Sequence, residues 1–380
     1  MGKIASILFH INLTVIISFN LIIYSLSQIG LRFSVAYAVI FFVCSFLYML
    51  ITAGVNVFKY NRISLLMIFI GLLLLNMLFF QVEYGIIKFQ LFIARMFLGV
   101  LILQCFFNLG YRINTHFLMA LGVVISSILL FQASQTNFLL RTSMLIEVSE
   151  KSRVVLGAIE DSRSLLFILI CIILRFKHSL IYYLAIVFIL AGIFVTQTRQ
   201  TVLILAIVIV PYIIYNSWRN IEIRKLRNRG ILTFTALFIY LYSKIESLDL
   251  GRFAQINEHL ANYNDKDSRG GLIEWAFGLF LDKPFFGWGF GYTEQTYTYP
   301  HNIIVELLAE LGFVGFVVFA VYFLFNYFSI IDKRLKILVM TFFILSLFSG
   351  NIMQNYFLFI ALSCDYRFLE TLKDKQSKLV

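Results

Sequence analysis

Tyr299-Pro300-His301-Asn302-Ile303-Ile304-Val305-Glu306-Leu307-Leu308-Ala309-Glu310-Leu311-Gly312-Phe313-Val314-Gly315 is where a polar stretch gives way to a long apolar run. Proline favours the first turn of a helix and disfavours helix just before it. His301 and Asn302 are therefore expected to open a span running over 302–328. An apolar run of this length behind a polar head reads as a membrane helix entered from a hydrophilic loop. The free N–H groups and positive dipole end at such a start favour an anion such as phosphate.

The same signature recurs along the chain, which is 61 % hydrophobic and 13 % charged, with a mean hydropathy of +0.89. That excludes an ordinary soluble domain. Further spans are expected near 4–25, 33–54, 63–80, 86–107, 113–133, 164–175, 179–196, 200–215, 230–244, 337–350 and 354–366. The expected fold is all-α and integral to the membrane, one polytopic bundle of about twelve helices over 1–380. Two larger external loops interrupt it, near 134–163 and 245–300. A β-barrel would show short alternating segments, and none occur.

The net charge of +11 sorts by side rather than forming a polyanion-binding surface, so no nucleic acid is expected. Lys3, Lys59, Arg62, Arg112, Arg175, Lys177, Arg219, Arg224, Lys225, Arg227, Arg229, Lys333, Arg334, Lys336 and the C-terminal tail share one face. In the two long loops, bases and acids roughly cancel. The positive-inside rule then places both termini in the cytoplasm and both loops outside. Cys44, Cys105, Cys171 and Cys364 fall in expected spans and have no metal-like spacing. The first apolar run is too long for a signal-peptide core and is read as a span that stays. No internal repeat stands out.

The first loop carries mixed charge, which fits a solvated segment or a substrate contact. Arg163 sits where the chain turns into the sixth span and is expected to face the outer leaflet boundary, near a headgroup phosphate. In the second loop, Asp265-Lys266-Asp267-Ser268-Arg269-Gly270-Gly271 is a turn-rich break. Leu272, Trp275, Leu279 and Phe280 then recur at helical spacing, an amphipathic interfacial helix ended by Pro284. Gly287-Trp288-Gly289-Phe290-Gly291 follows, suited either to close approach to a ligand or to anchoring at the interface. Tyr292, Tyr297 and Tyr299 suit both the interface and stacking on sugar faces.

His301 differs from the other four histidines by its position at the head of a span, where an imidazole exchanges protons near neutral pH. Arg199, in the tight turn Thr196-Gln197-Thr198-Arg199-Gln200-Thr201, is either a snorkelling interface arginine or a fork for a diphosphate. Arg269 has the second role open to it at the head of the interfacial helix. Arg95, within the fourth span, either pairs with a neighbouring helix or lines a cavity. Glu306, in the tenth span, needs a partner or a hydrated cavity and could orient a basic group or serve as base. Glu310 is read with the small-residue packing of Gly312 and Gly315. No HExxH, Walker loop, nucleophile elbow or outer carboxylate pair occurs, so no metal or cofactor is expected.

Thr198-Arg199-Gln200, Arg269 ahead of an aromatic helix, Lys283-Pro284-Phe285-Phe286-Gly287-Trp288-Gly289, and Pro300-His301-Asn302 with Glu306, Glu310, Gly312 and Gly315 together resemble the O-antigen polymerase and ligase superfamily. The resemblance is best over 195–330; Thr-Arg-Gln departs from the more usual Ser-Arg-Gly but keeps the arginine. It implies a metal-independent glycosyltransferase of the bacterial inner membrane, acting on undecaprenyl-diphosphate-linked oligosaccharide at the periplasmic face. A Wzy-type polymerase moves the growing glycan onto the next lipid-linked repeat unit; a ligase moves the finished glycan to lipid A core. The resemblance further implies His301, Arg199 and Arg269 as catalytic and Arg163, Asn302, Tyr299, Glu306 and Trp288 as substrate-binding. A chain-length regulator and a flippase would be partners. The rival from another class is a lipid-linked oligosaccharide transporter, although the polar residues concentrate in loops rather than inside several spans.

Overall fold

The computed structural model describes residues 2–28, 40, 43–48, 62–93, 99, 101, 103, 106, 113–135, 144–147, 153–156, 158–174, 180–196, 198–205, 208, 269–348 and 350–363. The expected span at 230–244, the loop stretch at 245–268 and Arg95 lie outside the described residues.

Apolar runs without proline fold as helices, because in a greasy chain each backbone group finds its partner within its own segment. In order these are α1 (Gly2–Gln28), α2 (Arg62–Phe80), α3 (Glu83–Phe92), α4 (Thr115–Gln135), α5 (Ala158–Leu174), α6 (Leu180–Val195) and α7 (Arg199–Ile204). After these come α8 (Arg269–Asp282), α9 (Tyr292–Thr296), α10 (Ile303–Ser329), α11 (Lys333–Phe348) and α12 (Tyr356–Ser363). One helix among the described residues, Ile303–Ser329, is both long and apolar enough to cross a membrane. Shorter apolar helices are Ile4–Ser18, Leu65–Phe80, Thr115–Phe131 and Ile181–Val195.

The first expected loop is more ordered than a solvated connection. It holds an antiparallel hairpin, β1 (Met144–Glu147) on β2 (Arg153–Leu156), with Met144 opposite Leu156 and Glu147 opposite Arg153. These strands are the one departure from helix among the described elements, and β2 lies against α1. Helix α5 then begins at Ala158, before the span expected from 164.

The exposed surface is rich in apolar side chains, and the few charged groups inside are held within a largely apolar core. Phe79 is 80 % exposed and Phe328 71 %, while Lys88, Arg163, Glu306 and Glu310 are each 1 % or less exposed. Charge sequestered inward under an apolar exterior is the arrangement lipid demands. Within the bundle, Phe69, Phe92, Phe319 and Phe359 join α2, α3, α10 and α12 through ring contacts at centroid distances of 5.6–6.4 Å.

Helix α10 is interrupted at Gly312 (φ +65°, ψ −167°), a conformation in which an intact helix cannot continue. An unbroken helix would bond Phe313 N–H to Ala309 O and Val314 N–H to Glu310 O. The segment 284–289 supplies both missing partners instead. Trp288 N–H donates to Ala309 O (3.0 Å) and Gly289 N–H to Glu310 O (2.9 Å). Phe313 N–H donates to Pro284 O (2.7 Å) and Val314 N–H to Phe285 O (3.1 Å). The glycine-aromatic turn thus plugs a broken helix, and all four backbone groups are satisfied. Asn76 of α2 holds the same turn, accepting from Phe290 N–H (2.7 Å) and donating to Phe286 O (3.2 Å).

Candidate anion-binding site and its buried charge cluster

Two polar clusters meet at the head of α10. The deeper one is built on Lys88 of α3, whose ammonium is fully buried. Its Nζ donates to Glu306 Oε1 at 2.6 Å, Glu294 Oε2 at 2.8 Å and both oxygens of Glu310 at 2.9 Å. The three carboxylates have ligand atoms within 4.8 Å of one another, the one such grouping among the described residues with the spacing of a metal site. Lys88 Nζ takes the position a cation would occupy there. Glu294 Oε1 also accepts from Asn351 Nδ2 (3.0 Å), and Glu306 Oε2 accepts from Ile352 N–H (2.9 Å).

Thr293 Oγ1 lies 2.6 Å from Glu310 Oε1 and 3.0 Å from Glu294 Oε2. With one hydrogen to give, the hydroxyl donates to one of these two carboxylate oxygens at a time. Burial pushes the Glu294 carboxyl up, but the charge and hydrogen bond of Lys88, with hydrogen bonds to Glu310 and Asn351, together hold it below its ordinary range. Glu294 is accordingly held in its ionised form. A buried cluster of this kind loses about 3–5 kcal/mol when one partner is deleted, because the others are left buried and uncompensated.

The shallower cluster surrounds His301. Asn302 caps α10, its Oδ1 accepting from Ile304 N–H (3.0 Å) and Val305 N–H (3.2 Å). The Ile304, Val305 and Glu306 N–H groups at this helix start are therefore already taken by Asn302, which shifts anion binding toward side chains. Asn302 Nδ2 donates to Leu347 O at the end of α11 (3.1 Å). Arg269 Nη1 and Gln200 Nε2 meet at the next carbonyl, Phe348 O (3.5 and 3.0 Å). Ser162 and Thr201 hydroxyls are 3.0 Å apart, which ties the start of α5 to α7. The leading ends of α5, α7, α8 and α10 thus gather around the trailing end of α11.

His301 itself has φ +57°, a left-handed conformation that is rare for a residue with a Cβ. Held strain of this sort collects at working sites. Its ring packs edge-on against Tyr299 at 4.5 Å, and its Nδ1 is buried without a hydrogen-bond partner among the described residues. Burial, then Arg269, then Arg163 lower its pKa to about 4, so the imidazole is neutral at physiological pH.

Arg163 departs from expectation. It is 1 % exposed and points into the protein rather than at the leaflet boundary, since the early start of α5 turns it inward. Its Nη1 donates to Gln354 O (2.6 Å), and its guanidinium packs against Gly350, where any Cβ would crowd it. Tyr299 hydrogen-bonds the Gln354 side chain.

His301, Arg269, Arg163 and Tyr299 are therefore brought together. Arg199 opens α7 one residue before Gln200, in the same corner; its side chain lies outside the described residues. Asn302 caps and Glu306 binds Lys88. Trp288 Nε1 donates to Leu279 O (2.9 Å), and the indole is stacked on Tyr292 beneath Lys283 Nζ, which lies 3.7 Å from the ring centre. The expected interfacial helix is α8, which buries Leu272 and Ala276 on the side packed against α10 and exposes Phe277 and Leu281. Lys88, Glu294 and Gln354 were not singled out from sequence. A lysine inside the expected span 86–107 was the available signal, since a charge there demands a partner.

Residues 184–320 match the family described as O-antigen ligase. That match runs from within α6 through α7, α8 and α9 into α10, with Arg199, Arg269 and His301, and supports the O-antigen polymerase and ligase superfamily. Comparison with curated proteins finds no match.

Proposed function

We propose that this member of the O-antigen polymerase and ligase superfamily, a glycan-processing membrane protein, is a polymerase. It would transfer the growing glycan from undecaprenyl diphosphate to the next lipid-linked repeat unit on the periplasmic face. The observation that carries this reading is the convergence of Arg163 and Arg269 on a neutral, strained His301. In the proposed step a hydroxyl of the incoming unit attacks the anomeric carbon of the donor. The carbon–oxygen bond to the diphosphate breaks, and the electron pair leaves with the diphosphate. Arg269 neutralises the departing charge, joined in this proposal by Arg199 from the start of α7, and a guanidinium fork suits two phosphate oxygens. Arg163 adds positive potential from within. His301, unprotonated, takes the hydroxyl proton, and the arriving diphosphate raises the basicity of the ring as the proton moves. Tyr299 offers a ring to sugar.

With its pKa held to about 4, His301 is not the source of an acid limb near pH 6.5. Transfer is expected to keep a fully unprotonated His301 down to about pH 5 and to fall as pH approaches 4, checked by rate against pH in membranes. The same sign holds for folding. The unfolded chain binds this proton more readily, so the His301 contribution to stability is whole above about pH 6.5 and is lost as pH falls through 4.

The family description favours ligase as the second reading. Deleting the gene separates them. A polymerase leaves core carrying a single repeat unit; a ligase leaves bare core with stranded lipid-linked polymer. An unchanged ladder refutes both and points to a structural role.

A further inference from the structure

The Lys88 cluster is tied by a line of hydrogen bonds to Tyr299, whose ring contact with His301 completes the link to the second cluster. Lys88 binds Glu294, and Glu294 accepts from Asn351. Asn351 Oδ1 accepts from Gln354 N–H (3.0 Å). Gln354 O then accepts from Arg163, and its side chain bonds Tyr299, whose ring rests on His301. A parallel link runs from Lys88 through Glu306 to Ile352 N–H. The segment 350–354 is therefore pinned on one side by the buried charges and on the other grips Arg163 and Tyr299.

We infer that Lys88 is a positioning residue for glycan transfer, holding segment 350–354 so that Arg163 and Tyr299 are set against His301. It touches no reacting atom in this account. The ammonium neutralises carboxylates that would otherwise repel one another and spread α9, α10 and segment 350–354 apart. Three acids from two helices converge on a single base from a third, so the charge can be met only when all three elements are in register. This assignment rests on the glycan-transfer reading for its functional meaning, but its geometric content can be tested apart from that.

The charged or titratable groups facing His301 are Arg163 from α5, Arg269 from α8 and Tyr299 from its own loop, with Glu160 beside Arg163 and Tyr299. Displacing Arg163 changes what His301 experiences, and a side chain that merely filled space would not do this specifically. The probe is carbethoxylation of His301 by diethyl pyrocarbonate, which requires the neutral imidazole, read by mass spectrometry on the full chain in detergent across pH. In the native protein the rate, corrected for reagent, is expected to stay flat from about pH 8 to about pH 5. In Lys88→Met, which keeps the length and removes the charge, the midpoint is expected to move upward from its native position, with transfer reduced about tenfold or more. Asn351→Ala cuts the Glu294 branch while leaving the ammonium and its link through Glu306 to Ile352 in place, and a smaller upward shift is expected there if Lys88→Met fails to fold. A native pH profile in folded Lys88→Met, or in Asn351→Ala, overturns the inference. Adding undecaprenyl diphosphate to the native protein should slow the modification; failure to do so would count against the diphosphate reading and leave the comparison of variants intact.

Discussion

Gly312→Ala is expected to leave little folded protein in the membrane. At φ +65° and ψ −167° the backbone lies in a region essentially restricted to glycine, and a side chain there costs about 1–3 kcal/mol. A Cβ at this position would also run into the backbone of Phe285 and Phe286. Relieving that collision pulls segment 284–289 out of the break in α10. The bonds from Phe313 and Val314 N–H to Pro284 and Phe285 O go with it, at about 1 kcal/mol each and more where no water replaces them. The sum is a large share of the roughly 5–15 kcal/mol that holds a domain folded. Gly287 is the other half of the contact, its absent Cβ facing the backbone of Glu310 and Leu311. Gly287→Ala should therefore damage the protein by the same route, and the double variant should be less than additive. Membrane abundance and thermal aggregation in detergent measure both. Gly312→Ala at native abundance and melting temperature would contradict the plug.

Arg269→Ala is expected to cut transfer by roughly 10²–10³-fold while leaving the protein inserted and folded. Arg269 is exposed, and its bond to Phe348 O is long at 3.5 Å. That makes it a cleaner probe than Arg163, whose burial ties it to structure. Arg269→Lys keeps a charge but gives up the planar fork, and should recover only part of the rate. Turnover measured with lipid-linked repeat units in proteoliposomes decides this. Alanine within threefold of native turnover would remove Arg269 from the site.

Much of this arrangement was legible locally. Pro300 and Asn302 set the start of α10, and structure and sequence agree on it within a residue, because proline and capping chemistry act over a few residues. Helix α8 was visible in the spacing of Leu272, Trp275 and Leu279, and its end in Pro284. What escaped notice depends on partners distant in sequence. Gly312 sits in a continuous apolar run, and nothing local says that a loop some 25 residues earlier repairs a break there. Lys88 and Glu306 each announce a need for a partner, but only the packing of α3 on the head of α10 tells which. Arg163 was legible as a charge at a boundary. Its inward turn follows from α5 starting early, which a hydropathy profile of the apolar part does not register.

The most direct test of glycan transfer at this site is the surface-glycan ladder of a strain whose chromosomal copy carries His301→Ala, run beside the native strain with membrane levels of the protein matched. Core bearing a single repeat unit, with the ladder gone, is the result expected of a polymerase that uses His301. A full-length ladder at matched protein level would contradict the assignment.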